Sequence, residues 1–567
     1  MTKGFKPVGP AFQVNSSSTD DQVYPNITAL ADGGYVIVWS SIMDGGDYGY
    51  YGQRYDANSN PLDAEFFISK YQDSTHNFHS SPSVTGLDDG GFIIAYFQTD
   101  DFGGSSGVSV QRFLPDGLST DAQFGFDIYQ PGFLPDITTL SNGNVIITWT
   151  SGSGLPSGLE SYGQLYSSDG QAIGGLLVTT TNHIDMQGQQ SVTALKNGAF
   201  VITWQTKGNP DQENIFARLY DAAGNPIGSE FQVNSYNPAM QQDSAVIGLA
   251  GGGFVVVWTT MDFDNSLGFT GAQIFDSSGN PIGDEFRING SVSGGLFASI
   301  SALPDGGFIV VSTLTGYGND VEVVGQRYDA AGDRAGTGFV IAARIDGELD
   351  LNTFSHADIT VLSDGGFIIT WDGSPFDGDG SGIYAMQFDA QLFGTRSDDI
   401  LTDTVGANWM RGMRGDDTIY GLDGNDKIWG NRGNDTLYGG EGDDRLSGGK
   451  GDDILVGGAG RDVMRGGEGA DTFIFIQASD SAASGRADRI LDFETGIDTI
   501  DLSQIIADEF NFIGDAGFSG TGDAEARYQI NAKGNTILRI DLDGDGVIDM
   551  KIFLRGGIDF TVDDFIL

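Results

Sequence analysis

Two hydrophobic rhythms divide the chain. Through the first four hundred residues, short apolar runs return about every 55 residues, as in Tyr35-Val36-Ile37-Val38-Trp39 and Phe367-Ile368-Ile369-Thr370-Trp371. Each run follows a tight polar turn, here Asp32-Gly33-Gly34 and Asp364-Gly365-Gly366. Asp-Gly between two apolar runs predicts a β-hairpin. A first strand precedes the turn (27–30), a third follows a variable polar loop (52–56), and a fourth follows a second turn such as Ala223-Gly224-Asn225-Pro226 (230–234). One position tracks the array through Trp39, Tyr96, Trp149, Trp204, Trp258, Ser312 and Trp371. Four short antiparallel strands repeated seven times predict a seven-bladed β-propeller, with an open solenoid or two packed sandwiches as the alternative. The repeated aromatics read as core between blades. The seventh repeat has no fourth strand of its own, whereas an unpaired one, Ala11-Phe12-Gln13-Val14-Asn15, stands ahead of the first. We expect that segment to complete the seventh blade and close the ring.

The second rhythm has a period of nine and runs over 394–474. Glycine occupies the fourth place at Gly415, Gly424, Gly433, Gly442, Gly451, Gly460 and Gly469. Aspartate occupies the sixth at Asp417, Asp426, Asp435, Asp444, Asp453, Asp462 and Asp471, and a large apolar residue the eighth, from Ile419 to Phe473. A Gly/Asp-rich disordered linker would not hold apolar residues at one phase of nine. The pattern is that of a parallel β-roll binding Ca²⁺. Glycine allows the positive φ with which a tight turn presents carbonyl oxygens, and the aspartate supplies charge to a hard cation that takes six to eight oxygens. Consecutive nonapeptides must lie on opposite sides, so stacked neighbours are eighteen residues apart, with Asp417, Asp435, Asp453 and Asp471 on one edge and Asp426, Asp444 and Asp462 on the other. Shared ions between edge neighbours give on the order of five sites. Ser397 and Asn408 break the pattern in the two earliest registers, although Asp399 keeps its carboxylate.

Composition narrows the partners. With 78 acidic against 28 basic residues, the formal charge is −50, which disfavours nucleic acid and anionic membrane surfaces. About five divalent ions would neutralise only about ten of those charges. Cysteine is absent, so disulfides and thiol chemistry are excluded. The N-terminus has no apolar h-region, and no run of eighteen apolar residues suggests a membrane span. An array of weak Ca²⁺ sites needs more free Ca²⁺ than a cytosol holds, which points to a secreted, extracellular or surface-associated protein.

Beyond the roll, Ala470-Asp471-Thr472-Phe473-Ile474-Phe475, the stretch from Asp488 to Leu502 and the ending Asp563-Asp564-Phe565-Ile566-Leu567 carry a family resemblance. Residues 394–567 resemble the C-terminal domain of serralysin-type secreted proteins, in which an RTX (repeats-in-toxin) roll is followed by a cap and an uncleaved type I secretion signal. The resemblance implies the type I secretion apparatus as a partner. The expected layout is therefore all-β: a propeller over 1–393, a roll over 394–474, and a β cap with the export signal over 475–567. The resemblance brings no peptidase, because H-E-x-x-H-x-x-G-x-x-H is missing and His76, His79, His183 and His356 belong to no such motif. Neither a nucleophile elbow nor a P-loop occurs in a strand-to-helix context.

Asp541, Asp543 and Asp545 followed by Gly546 resemble the start of an EF-hand loop, but Ile552 stands where the twelfth-place Glu belongs, leaving a cation loop and a plain hairpin turn both open. Acidic loops around 44–47, 262–265 and 377–380 read as solvated turns, with Ca²⁺ or sugar binding as the alternative. Two functions remain: a propeller that binds an extracellular glycan, a matrix polymer or a surface protein, and a polysaccharide hydrolase or lyase with its site in the propeller funnel. No catalytic residue is assigned, and the first reading is favoured.

Overall fold

A computed structural model describes residues 2–16, 21–43, 47–72, 81–99, 106–120, 132–151, 159–168, 170–179, 186–209, 212–235, 240–261, 268–288, 295–315, 321–335, 338–343, 356–363, 365–373, 381–394, 396–402, 409–483, 487–506 and 510–567. The protein is all-β, with two compact units: residues 7–388, and residues 1–6 together with 389–567. The boundary falls within strand Gly382–Phe393.

The unit over 7–388 is the seven-bladed propeller. Its first blade, Gln22–Ala29, Tyr35–Met43, Asp47–Tyr55 and Phe66–Gln72, sets the pattern of an antiparallel meander. The predicted turn forms as expected: Gly33 takes φ +86° and Asp32 Oδ1 accepts the Gly34 N–H at 3.0 Å. The second blade shows three strands, Ser83–Gly86, Phe92–Thr99 and Ser106–Phe113, among the described residues. In the seventh, Phe12 and Gln13 pair with Ala385 and Tyr384, so a strand from the start of the unit fills the outer place. Val14 is buried with Trp39 and Tyr35 of the first blade and Ile368, Ile383 and Ala385 of the seventh, the apolar seal expected where the ring closes. All six aromatics of the repeated position, Trp39 to Trp371, are buried, four of the tryptophans stacking on an aromatic of the third strand. First strands of successive blades touch all the way round, the seventh against the first, so they surround the axis.

In the other unit, parallel strands stack at the predicted spacing of eighteen. Ile419, Leu437, Leu455 and Phe473 are in register in one sheet, and Met410, Ile428, Leu446 and Met464 in the other. These residues are 0–2% exposed and form one core that continues into the cap. Both sheets run on beyond the repeats: Asp488–Ile490 adds to Val463–Glu468, and Thr499–Asp501 to Thr472–Ile474. Met550–Leu554 then pairs with the first and the tail Phe565–Ile566 with the second. The expected export signal is thus a docked edge strand in the folded unit, with Asp564 fully buried and accepting N–H groups from Gly496 and Thr561.

Candidate metal centre and propeller axis

The sixth-place aspartates form two ladders. On one edge the N–H of Asp399 donates to Oδ1 of Asp417, Asp417 to Asp435, Asp435 to Asp453, and Asp453 to Asp471, at 2.8–3.0 Å. On the other, Asp426 donates to Asp444 and Asp444 to Asp462, at 2.7–2.8 Å. These seven aspartates, Asp417 to Asp471, are 0–1% exposed. In Asp417, Asp435, Asp444, Asp453, Asp462 and Asp471 the other oxygen, Oδ2, is buried and accepts no hydrogen bond. An anionic oxygen removed from water without a donor is costly, so a cation is the natural complement.

The glycines explain how room is kept for it. Oδ2 of Asp417, Asp435, Asp453 and Asp471 lies where a Cβ on Gly412, Gly430, Gly448 and Gly466 would fall, and Asp426, Asp444 and Asp462 face Gly421, Gly439 and Gly457 likewise. These first-place glycines therefore form the cradle. The fourth-place glycines serve differently: a Cβ on Gly433, Gly442, Gly451, Gly460 or Gly469 would strike the carbonyl oxygen of the glycine eighteen residues earlier. Carboxylate and carbonyl oxygens, with no nitrogen or sulfur donor, suit Ca²⁺. Gly415, Gly424 and the later fourth-place glycines take φ between +107° and +147°, as presenting those carbonyls requires.

Burial first, and then neighbouring carboxylates, push Asp417, Asp435, Asp444 and Asp471 up to about 6 and Asp453 and Asp462 up to about 7, against the backbone N–H donated to each. The two ends of the roll differ. At the second place, Gly440, Gly449, Gly458 and Gly467 adopt positive φ, and the earlier turns force Met413, Leu422 and Asn431 into the same region. That conformation costs a residue with a Cβ about 1–2 kcal/mol, so the N-terminal turns are the more strained.

Further residues continue these ladders that the nonapeptide spacing does not reach. Asp462 N–H donates to Oδ1 of Asp488 at 2.8 Å and Asp471 N–H to Oδ1 of Asp498 at 3.0 Å, extending both ladders into the cap at intervals of 26 and 27 residues. On the Asp498 edge the ladder closes on protein, because Oδ2 accepts the Glu494 N–H. On the Asp488 edge it stays open: Oδ2 of Asp488 and Oδ1 of Asp480 are buried and accept nothing, and burial with Asp462 and Asp480 nearby pushes Asp488 up to about 9. The signal was present in the triplets Asp488-Arg489-Ile490 and Asp498-Thr499-Ile500, which repeat the Asp-x-apolar of the nonapeptide. A second ladder runs the opposite way at the fifth place, where Asp416, Asn434 and Asp452 accept N–H groups from Asn434, Asp452 and Ala470.

In the propeller, the structure assembles a cluster that no motif announces. Tyr24, Leu134, Gln189, Asp243 and Phe297 occupy one position of the first strand in five blades, and all have φ between +47° and +57°. At each the ladder skips two residues, a bulge that re-aims the side chain. His356 holds the corresponding place in the seventh blade. Its ring lies 4.3 Å from that of Tyr24 and 4.4 Å from that of Phe297, and its Nδ1 is 3.6 Å from Oδ2 of Asp372. Asp243 is pushed up to about 6 by burial, with His356 and a hydrogen bond from Gln189 pulling it down. Residues from the fourth, fifth, sixth, seventh and first blades interact in this way only around the axis. Tyr24, Gln189, Asp243, Phe297 and His356 all remain half-buried. The loops at 44–46, 262–265 and 377–380, with Asn408, His76, His79 and His183, lie outside the described residues.

Residues 430–567 match the family described as peptidase M10 serralysin C terminal, and residues 402–437 the RTX calcium-binding nonapeptide repeat (4 copies). The C-terminal region is a serralysin-type domain led by calcium-binding RTX repeats. No curated protein matches the chain. Among solved structures, a polysaccharide lyase described as a PL25 ulvan lyase is 9% identical with a TM-score of 0.42, over 66% of this chain and 95% of its own. An α-L-arabinofuranosidase from Fusarium graminearum is 11% identical with a TM-score of 0.39, over 68% and 98%. A subunit of the Azotobacter vinelandii mannuronan C5-epimerase is 28% identical with a TM-score of 0.16, over 30% and 80%.

Proposed function

We propose that this chain is a type I-secreted RTX protein that folds on meeting external Ca²⁺ and uses its propeller to bind an extracellular glycan, matrix polymer or surface partner. Gly415, Gly424, Gly433, Gly442, Gly451, Gly460 and Gly469 would supply turn carbonyls to the ions, and Asp417 to Asp471 the carboxylates. The observation that carries the binding site is the axial cluster of Tyr24, Gln189, Asp243, Phe297 and His356. Aromatic rings beside amide and carboxyl groups, in a partly open mouth, are what a sugar ring requires: flat apolar faces and directed polar partners. A glycan array probed with the intact protein in Ca²⁺ tests this. Binding should be lost with Phe297→Ala and with Tyr24→Ala while the melting temperature of the propeller holds. A bound glycan indifferent to both changes would place the site elsewhere.

One observation favours a hydrolase or lyase as the second reading. Asp243, held up to about 6, lies near the His356 imidazole, whose Nδ1 is 3.6 Å from Asp372 Oδ2, and a carboxyl group poised near neutrality beside His is the equipment of general acid–base chemistry. Release of reducing or unsaturated ends from a polysaccharide panel, abolished by Asp243→Asn, would establish it. Tight binding without turnover leaves the binding reading.

A further inference from the structure

The cap contains a second kind of acidic site, in the loop joining strand Thr536–Asp541 to Met550–Leu554. Asp541, Asp543 and Asp549 each present a carboxylate oxygen there, all within 4.8 Å of one another. An acidic turn alone would mean little, since such turns are common on surfaces. Asp541 is different, being fully buried, with Oδ2 accepting the Gly546 N–H at 2.7 Å and Oδ1 accepting nothing. No ion pair among the described residues reaches Asp541, Asp543 or Asp549. An uncompensated carboxylate buried beside two others is costly without a counter-charge.

The loop is built to hold that arrangement. Gly544, at φ +67°, sits so close to Gly522 and Asp523 that a Cβ would strike their backbone, and its carbonyl accepts the Gly522 N–H at 3.1 Å. Asp549 accepts the Leu542 N–H through Oδ2, which ties the ends of the loop together and leaves its other oxygen. Asp545 is engaged elsewhere, its Oδ1 accepting the Val547 N–H at 2.7 Å. The missing twelfth-place Glu is therefore no obstacle: the set is formed by the first, third and ninth places of the motif.

We propose that Asp541, Asp543 and Asp549 bind one hard divalent cation, of the Ca²⁺ class, at a site separate from the nonapeptide ladders. An all-oxygen set in a glycine-bearing loop excludes soft metals and suits a large ion that can draw on carbonyls and water. The ion would pin Met550–Leu554, whose Ile552 pairs with Asp488 at the open end of one ladder.

Ion counting on the intact protein tests the assignment. Equilibrium dialysis against radioactive Ca²⁺ should give one ion fewer per chain for Asp543→Asn/Asp549→Asn than for the wild type. The roll should still give its Ca²⁺-induced β signal. Asp545→Asn should keep the wild-type count. If the double variant fails to fold, the single Asp549→Asn change, at a half-buried position, should weaken one site at least tenfold. An unchanged count and unchanged affinities in these variants, or an ion lost on Asp545→Asn, overturns the proposal.

Discussion

Both halves of the molecule take aspartates out of water, but they satisfy them differently. Near the propeller axis, Asp136 accepts the Ser83 hydroxyl and the Ile137 and Val192 N–H groups, so both its oxygens are engaged. Asp358 does the same with Asn26, Ser299 and the Ile27 and Ile359 N–H groups. In the roll, Asp435, Asp453 and Asp471 have one oxygen bonded to the preceding turn and the other bonded to nothing. The first arrangement is complete when the chain folds. On the function proposed above the second is completed by a cation, whose binding free energy then becomes folding free energy. The difference teaches where Ca²⁺ dependence resides: it follows the unpartnered oxygens and not the number of acidic residues.

The sharpest way to break this contrast is chelation. Calorimetry of the full chain should lose the transition of the unit over 389–567 altogether without Ca²⁺, while the propeller transition moves by no more than a few degrees. A common shift of both would mean that the contrast is false. Next in size is Asp358→Ala, which strands donors from Asn26, Ser299 and two backbone groups. At about 1–3 kcal/mol per unsatisfied buried group, it should cost the propeller about 2 kcal/mol or more, equally with and without Ca²⁺. A smaller effect should come from Gly448→Ala, whose Cβ would fall on the Asp453 carboxylate. It should raise the Ca²⁺ midpoint of roll folding several-fold and leave the propeller untouched; an unshifted midpoint would remove the cradle role of the first-place glycines.

The smallest effect is that of pH. Because the ladder aspartates are held at about 6 to 7 in the folded roll, above the ordinary carboxylate range, the ion-free folded state binds protons that the unfolded chain has released. Its stability is therefore fullest below about pH 4 and is lost as the pH rises through 6 and 7. Metal-free protein should regain part of its β signal by circular dichroism between pH 8 and pH 5. A flat response would mean that the carboxylates are not what keeps the ion-free roll open.

What was legible in the sequence depended on period. The nonapeptides and the blades repeat, so register and stacking interval follow from spacing alone, and the strand around Phe12 from the fourth strand that the seventh repeat lacks. Asp488 and Asp498 were lost because an insertion carrying Asp480 breaks the interval from 18 to 26 and 27, although their Asp-x-apolar triplets survive. The axial cluster was lost for another reason. Tyr24, Gln189, Asp243, Phe297 and His356 share no local motif, and only a bulge repeated in several blades turns them to a common point. His356 counted in the sequence as one of four scattered histidines. The loop at Asp541 stood between, with its motif visible but its completion by Asp549 dependent on how the turn closes.

Hydrogen exchange resolved by mass spectrometry, on the full chain with saturating Ca²⁺ and in chelator, tests the central claim most directly. Protection across 409–567 should collapse when Ca²⁺ is removed, while the strands between 22 and 388 keep theirs. A roll still protected in chelator, or a propeller that loses protection together with it, would mean that Ca²⁺ does not fold the roll separately from the propeller.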